Sequence, residues 1–226
     1  MTVLKLSNIT MKYGQYKAVD DVSFKLEKGD FTCLIGPNGS GKSTLIKGIM
    51  GLLPYEGTMD FSVKKEAIAY APQQSTAVSD FPATVKEIVL TGTMKIGDLN
   101  PFYSKEQKVR CEEALGVFGI ENLANKRTGE LSGGQQQRVL LARGYSRNPL
   151  LFILDEPDAA LDTEMGNNLY NILGNLNQQK GITLLMISHE FQKAQSVCNN
   201  VIVINKKLLY SGTVKDYIKE EVCNVF

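Results

Sequence analysis

The stretch FTCLIGPNGSGKST, residues 31–44, decides the fold of this chain. It begins as a short apolar run typical of a buried strand, satisfies the pattern G-x-x-x-x-G-K-[ST], and then opens a helical pattern. Its glycines let the backbone curl until N–H groups point at phosphate oxygens, and the helix start adds its positive dipole end. The stretch therefore predicts a phosphate-binding loop made of Gly36, Pro37, Asn38, Gly39, Ser40, Gly41, Lys42, Ser43 and Thr44.

On both sides of this loop, apolar runs rich in β-branched residues alternate with helical patterns. The runs that favour strands lie at residues 31–36, 67–72, 150–155, 182–188 and 201–205. The helical patterns lie at residues 43–52, 84–93, 105–118, 133–146, 163–179 and 190–197. Three of the strand runs are nearly continuous in apolar residues, as in strands buried on both faces of a parallel sheet. The alternation predicts an α/β protein of the P-loop NTPase class with a mixed sheet.

Two other regions depart from this alternation. Residues 3–10 and 22–26 alternate apolar and polar side chains, which predicts an N-terminal antiparallel β subdomain. Residues 75–146 hold helical patterns and no convincing strand. We expect one domain over residues 1–226, in which residues 1–74 and 147–226 form the sheet core together with the antiparallel strands. Residues 75–146 would form an inserted helical subdomain.

The composition excludes several classes of protein. The 226 residues are 43% hydrophobic and 22% charged, with a net charge of +1, so no strong field favours nucleic acid or an anionic membrane. No apolar run approaches the ~18 residues of a membrane helix, and the first residues lack the layout of a signal peptide. The four cysteines are far apart and form no metal-ligand spacing, which favours reduced thiols in the cytosol.

Two acids stand where a buried strand ends, in LLFILDEP at residues 150–157. Ligands of α/β sheets bind outside the carboxyl ends of the strands. Asp155 is therefore placed to hold Mg²⁺ through its water shell, and Glu156 to orient and polarise an attacking water. A single acid here would commonly be a surface residue. Together with the phosphate loop, the pair favours nucleotide hydrolysis.

A second anion-ready helix start lies in LSGGQQQR, residues 131–138. Ser-Gly-Gly alone is more often a plain helix N-cap. However, one nucleotide does not need two such cradles in the same subunit. With the phosphate loop before it and the acidic strand end after it, this stretch resembles the LSGGQ signature of the ABC ATPase family.

The resemblance implies a dimer of two copies arranged head to tail, with ATP and Mg²⁺ as cofactors. The signature of one copy, Ser132, Gly133, Gly134 and Gln135, would close over the γ-phosphate held by the other. The motifs also imply individual roles: Tyr13 would stack on adenine, and Gln73 rather than Gln74 would contact Mg²⁺ and the attacking water. Ser43 and Asp155 would ligate Mg²⁺. Asp162 would lie in the dimer-interface loop, and His189, the only histidine, would act as a switch that contacts the γ-phosphate. Glu156, His189 and Gln73 would form the catalytic set.

Two positions depart from the family pattern. Asp158 stands where family members often carry Thr, Ser or Phe, and it adds a third carboxylate near the site. Gly144 stands in the signature helix where Ala is usual, a difference of about 1 kcal/mol in helix propensity. The sequence alone assigns neither residue a role.

The partner of such an ATPase is less directly encoded. The resemblance implies integral-membrane permease subunits and a position in the cytoplasm against the inner face of the cell membrane. An extracytoplasmic solute-binding protein would belong to the complex without touching this chain. The alternative is a soluble ATPase of iron–sulfur cluster assembly. DNA-maintenance and translation ATPases are disfavoured, because the chain has one cassette, no long coiled-coil insertion and no basic footprint for nucleic acid.

The segment that would face a permease is residues 73–95. Within it, DFPATVKEIVLTG at residues 80–92 is similar to the zinc and manganese importer ATPases. Phe81 and Pro82 also fit a plain helix start with Thr84 as its N-cap. The segment therefore favours metal-ion import without naming the ion, because a cassette of this kind does not touch the transported metal.

Overall fold

The structure is a computed structural model that describes residues 1–73, 82–94, 97, 100, 102–189 and 191–219. Its strands are β1 (Thr2–Tyr13), β2 (Tyr16–Glu27), β3 (Phe31–Ile35), β4 (Glu56–Phe61), β5 (Ile68–Ala71), β6 (Leu151–Asp155), β7 (Thr183–Ile187), β8 (Asn200–Asn205) and β9 (Lys207–Thr213). Its helices are α1 (Lys42–Ile49), α2 (Val85–Gly92), α3 (Lys105–Val117), α4 (Gly133–Tyr145), α5 (Thr163–Lys180), α6 (Phe191–Ala194) and α7 (Val214–Lys219). The predicted α/β class is confirmed.

The chain divides into two compact units. Met1–Lys64 with Gly174–Phe226 forms the first, and Lys65–Leu173 forms the second. Helix α5 starts in the second unit and ends in the first. The predicted limits of the helical subdomain, residues 75 and 146, fall inside the second unit and stay a prediction.

An antiparallel sheet of order β2-β1-β4 opens the first unit. Strands β1 and β2 form a hairpin with Tyr13 opposite Tyr16, which confirms the predicted antiparallel strands. Strand β4 was not predicted. Its side chains are exposed or half-buried along its whole length, and among the described strands it pairs only with β1, so its sequence carries no apolar period.

Four strands of the main sheet also belong to this unit, in the order β7-β3-β8-β9. Strand β3 runs parallel to both β7 and β8, and every residue of β3 and β7 is buried. This burial on both faces explains the continuous apolar runs. Strand β9 pairs antiparallel with β8 across a tight turn at Lys206, and its alternating half-exposed side chains explain why the sequence did not reveal it.

The second unit combines two parallel strands with packed helices. Strands β5 and β6 pair in register, with Tyr70 opposite Ile153. Helices α2, α3 and α4 pack on one another, and α4 also packs on β5. Among described residues 82–146 the one β feature is an isolated bridge, so the prediction of helices without a strand is confirmed for that part.

Gly144 allows helix α4 to approach strand β6 closely. A Cβ atom at this position would lie 2.6 Å from Cε2 of Phe152, whose side chain is fully buried. An alanine would therefore crowd the ring, although it would favour the helix by about 1 kcal/mol. The departure from the family pattern thus has a packing reason that a single sequence does not show.

Three cysteines, Cys33, Cys111 and Cys198, are buried free thiols, and Cys223 lies outside the described residues. Burial and the neighbouring Cys33 raise the pKa of the Cys198 thiol well above its usual value. Buried thiols with a raised pKa are poor nucleophiles.

None of the described helices is long and apolar enough to cross a membrane.

Candidate active site

The phosphate loop lies where the sequence predicts it, between buried strand β3 and helix α1. Gly41 is the N-cap of α1 and has φ 98°, a conformation that L side chains rarely adopt. A Cβ atom there would also collide with the carbonyl oxygen of Ala18. No side chain caps α1, so a glycine backbone alone turns the chain into the helix. The first N–H groups of a helix point out of its end, where an anionic ligand can accept them.

Lys42 curls back over this loop. Its Nζ donates to the carbonyl oxygens of Gly36 at 2.7 Å and Pro37 at 3.0 Å. The side chain is largely buried, so the ammonium is held at the loop rather than in bulk water. Ser43, in the first turn of α1, is exposed and presents a hydroxyl, and Thr44 beside it is half-buried. A lysine cation inside a ring of backbone groups fits a polyphosphate chain.

Ser40 anchors the loop to the rest of the first unit. Its carbonyl oxygen accepts the N–H of Lys206 at 2.8 Å, and its own N–H donates to Pro37 at 3.1 Å. Its hydroxyl is buried without a hydrogen-bond partner among the described residues. A buried hydroxyl without a partner beside a glycine-capped helix is consistent with a loop built to receive a polar ligand.

His189 shares a cavity with the phosphate loop. It lies two residues after the end of β7, is exposed, and lines a cavity of about 720 Å³ together with Gly36 and Pro37. Ser188 before it is buried and lines the same cavity. The structure therefore brings the single histidine and the phosphate loop to one place within the first unit, as the switch assignment requires.

Two tyrosines lie at the tip of the β1–β2 hairpin. Lys206 Nζ lies 4.8 Å from the ring centroid of Tyr16, a cation–π contact. Tyr13, directly opposite, is 48% exposed. Tyr16 is 52% exposed, so the two rings differ in the lysine contact and hardly in exposure. The stacking role of Tyr13 stays a prediction.

In the second unit, Asp155 ends strand β6 and is 7% exposed. The hydroxyl of Tyr70, on the neighbouring strand β5, donates to Asp155 Oδ2 at 3.1 Å. Burial, then the nearby carboxylate, raises the pKa of Tyr70, which keeps the phenol protonated as a donor. Sequence analysis missed Tyr70, because a tyrosine inside an apolar strand is typical of a core residue.

Glu156 adopts a strained backbone conformation. Its φ is 48°, in the left-handed region that costs a non-glycine residue about 1–3 kcal/mol. The amide Nε2 of Gln73 donates to Glu156 Oε2 at 2.7 Å. The structure therefore joins two of the three residues of the predicted catalytic set. Gln74, the less favoured glutamine, lies outside the described residues.

The signature stretch starts helix α4, with Ser132 as its N-cap. The Gln135 N–H donates to the Ser132 hydroxyl at 3.3 Å, and the Ser132 N–H donates to Gln135 Oε1 at 3.0 Å. This is a complete capping box. Gly134 is buried against residues 158–162, the acidic loop, because a Cβ there would lie 2.9 Å from Leu161 Cδ2.

Two further acids shape that loop. Asp162 is exposed, and its Oδ1 accepts the Met165 N–H at 2.8 Å, in the manner of an N-cap for α5. Asp158 Oδ2 accepts the hydroxyl of Tyr170, a buried residue of α5, at 2.8 Å. Asp158 thus connects the loop to α5. The sequence did not reveal this role, because Tyr170 lies twelve residues further along the chain.

Comparisons with known proteins agree with this geometry. A family model described as ABC transporter matches residues 19–159. The zinc uptake system ATP-binding protein ZurA of Listeria innocua is 38% identical over 95% of this chain and 87% of that protein. The manganese transport system ATP-binding protein MntB of the same species is 36% identical over 96% and 93%. A solved nucleotide-free ATP-binding cassette from an ABC transporter superposes with a TM-score of 0.87 and 29% identity, over 99% of this chain and 96% of the other.

Proposed function

The chain belongs to the ABC transporter family as an ATP-binding and ATP-hydrolysing subunit, and we propose that it powers uptake of zinc or manganese through membrane permease subunits. The observation that carries this proposal is similarity along nearly the whole chain to a zinc and to a manganese ATPase, at almost equal identity. Because the two relatives differ in metal and not in extent of likeness, the cassette is matched to the transporter type rather than to one ion.

In the proposed site, the phosphate loop holds the nucleotide. Backbone N–H groups of residues 36–44 and the Lys42 ammonium bind the phosphates, and Tyr13 stacks on adenine. Ser43, Asp155 and Gln73 would hold Mg²⁺, since hydroxyl, carboxylate and amide oxygens are the hard donors that this ion prefers. The ion would neutralise charge on the phosphate oxygens during hydrolysis.

Glu156 is the proposed general base. It would orient and deprotonate the attacking water, while His189 would hold that water and the γ-phosphate by hydrogen bonds. The Gln73 amide donates to Glu156, so any displacement of Gln73 changes the hydrogen bonding of the proposed base. Gln73 lies at the start of the segment expected to face the permease, so a permease that moves this segment would change the hydrogen bond at Glu156.

The complete site needs a second copy of the chain. Ser132, Gly133, Gly134 and Gln135 form a capped helix start that serves no phosphate loop of its own unit, and Asp162 lies in the loop that packs on Gly134. We place these residues at the interface of a head-to-tail ATP sandwich. Closing and opening of that dimer would drive the permease subunits.

Exposed apolar side chains in the second unit support the proposal of a protein-binding face there. Phe102 is 80% exposed and Met94 is 37% exposed, and the hydroxyl of Tyr103 contacts the Met94 sulfur at 3.7 Å. Thr84 is the N-cap of α2 and forms a full capping box with Glu87, as expected for an ordinary helix start. Phe81 lies outside the described residues. We propose that permease subunits cover this face and hold the chain at the inner side of the membrane.

The catalytic part of the proposal is tested with Glu156→Gln. We expect ATP binding to be retained and turnover to fall at least ~10²-fold, the effect of losing a general base. The ATP-bound dimer should accumulate and be detected by size-exclusion chromatography, because it cannot hydrolyse its ATP and open. Asp158→Asn is the matched control: it also removes a carboxylate of this loop, but its amide oxygen can still accept from Tyr170, so turnover should be near normal. Equal turnover in both variants would remove Glu156 from the role of base.

The transport part is tested in cells. A strain that lacks the chain is complemented with the wild type or with Glu156→Gln, and cellular zinc, manganese and iron are measured by mass spectrometry. We expect the wild type alone to restore zinc or manganese, and a membrane pull-down to recover multi-span permeases. Recovery of cysteine desulfurase with unchanged metal content would instead support iron–sulfur cluster assembly.

A further inference from the structure

Tyr70 and Asp155 are brought together by the register of two strands. Tyr70 on β5 lies opposite Ile153 on β6, and Asp155 is two residues beyond Ile153. Side chains two residues apart on a strand share a face, so Tyr70 is a diagonal neighbour of Asp155 on the same face. The phenol can therefore reach along the sheet surface to the carboxylate, and its hydroxyl lies 3.1 Å from Oδ2.

The chemistry of this donor suits a carboxylate that must stay charged. Asp155 is buried, and a buried carboxylate needs hydrogen-bond partners. A lysine or arginine partner would neutralise it and compete with a cation. A tyrosine hydroxyl instead fixes the orientation of the carboxylate and leaves its negative charge in place, in the way that outer partners orient metal ligands.

We propose that Tyr70 is a positioning residue for Asp155, which holds the carboxylate in the orientation that binds nucleotide-associated Mg²⁺. The inference rests on the proposed role of Asp155 as a magnesium ligand. Tyr70 in strand β5 would thus donate to Asp155, the last residue of β6. Gln73, three residues later, donates to Glu156, which follows β6.

The test measures magnesium linkage rather than activity. Affinity for a fluorescent ATP analogue is determined with saturating Mg²⁺ and again with EDTA, and the ratio of the two gives the enhancement by Mg²⁺. For Tyr70→Phe we expect this enhancement to fall about tenfold, as for other outer partners of metal ligands. Affinity in EDTA should stay within about twofold, which also shows that the nucleotide site is folded.

Tyr145→Phe is a matched control within the same unit. Tyr145 is buried whereas Tyr70 is half-buried, but burial raises the pKa of both, and the Tyr145 hydroxyl likewise donates to a carboxylate, Glu113 Oε1, at 2.9 Å. Like Tyr70→Phe, Tyr145→Phe loses a phenol oxygen that donates a hydrogen bond to a carboxylate, but this carboxylate is neither Asp155 nor Glu156. Its magnesium enhancement should equal that of the wild type. An equal loss in both variants would assign the effect to general destabilisation and overturn the proposal.

Asp155→Asn separates failure of this inference from failure of the proposed site. In that background, Tyr70→Phe should cause no further loss of magnesium enhancement, because its target has gone. If Asp155→Asn itself leaves the enhancement unchanged, the magnesium role of Asp155 is wrong. If Asp155→Asn abolishes the enhancement while Tyr70→Phe behaves like Tyr145→Phe, only the positioning role of Tyr70 is wrong.

Discussion

Helices α1 and α4 both begin at glycine-rich, anion-ready termini, yet their first turns are completed in opposite ways. Helix α1 follows Gly41, whose backbone alone makes the turn and which no side chain caps. Helix α4 follows Ser132, which forms a reciprocal capping box with Gln135. At the first terminus the N-cap has no side chain to accept a helix N–H, whereas at the second the N-cap side chain accepts one.

This difference fits the two roles proposed above. Helix α1 would begin at a nucleotide that the same chain holds throughout. Helix α4, whose N-cap side chain already accepts one helix N–H, would meet phosphate only in the proposed closed dimer. Helix α3 carries an identical Ser-x-x-Gln box, Ser104 with Gln107, outside the motifs assigned to the nucleotide site. The box itself is therefore an ordinary helix start, and the role proposed for α4 depends on its partner.

The largest effect is expected when the α1 terminus is closed with Gly41→Ala. The new Cβ would meet the Ala18 carbonyl, and the left-handed backbone would be strained. Strain of about 1–3 kcal/mol, added to this collision, should distort the loop and lower affinity for ATP at least ~10²-fold. Titration with a fluorescent ATP analogue measures the loss.

Gly51→Ala is the control at the other end of the same helix. Gly51 also has a positive φ, 73°, but a Cβ there would have no atom within 4 Å. It should lower the free energy of unfolding by about 1 kcal/mol and leave ATP affinity unchanged. If Gly41→Ala binds ATP as Gly51→Ala does, the α1 terminus does not depend on its glycine backbone.

The sequence predicted the α1 terminus in full, because loop, strand and helix are consecutive and the glycines are local. It also placed Asp155, Glu156, His189 and Gln73 at the ends of strands. It could not show which side chains these residues meet. The bonds of Tyr70 to Asp155 and of Tyr170 to Asp158 depend on strand register and on helix packing, which no local pattern encodes. Strands β4 and β9 were missed because they carry no buried apolar period.

An intermediate effect is expected at the α4 terminus from Gly134→Ala. Alanine favours a helix by about 1 kcal/mol, but the new Cβ would lie 2.9 Å from Leu161 Cδ2 and 3.4 Å from the Ala160 carbonyl. Crowding in a packed region costs about 1–3 kcal/mol and would displace the loop that carries Asp162. We expect a lower urea midpoint and about tenfold weaker ATP-driven dimerisation, with ATP binding to the monomer unchanged.

Gly166→Ala provides the matched comparison on α5, where a Cβ would have no atom within 4 Å. It should raise the free energy of unfolding by up to about 1 kcal/mol through helix propensity alone. Opposite signs for the two alanines would show that Gly134 is required for close packing. A stabilising Gly134→Ala with normal dimerisation would contradict the proposed fit between the signature and the acidic loop.

The smallest effect is expected when the two identical boxes are opened by Ser132→Ala and Ser104→Ala. Each loses a hydroxyl that accepts one helix N–H, at 3.3 Å and 3.2 Å, so each should lower the free energy of unfolding by about 1 kcal/mol in urea titrations. ATP binding to the monomer should be unchanged in both, since neither hydroxyl belongs to the phosphate loop. Ser132→Ala alone should also weaken ATP-driven dimerisation, because that hydroxyl is proposed to exchange its helix N–H for the γ-phosphate of a second copy. If the two variants dimerise equally well, Ser132 is only a cap, and the second phosphate contact of the α4 terminus must come from the backbone of Gly133 and Gly134.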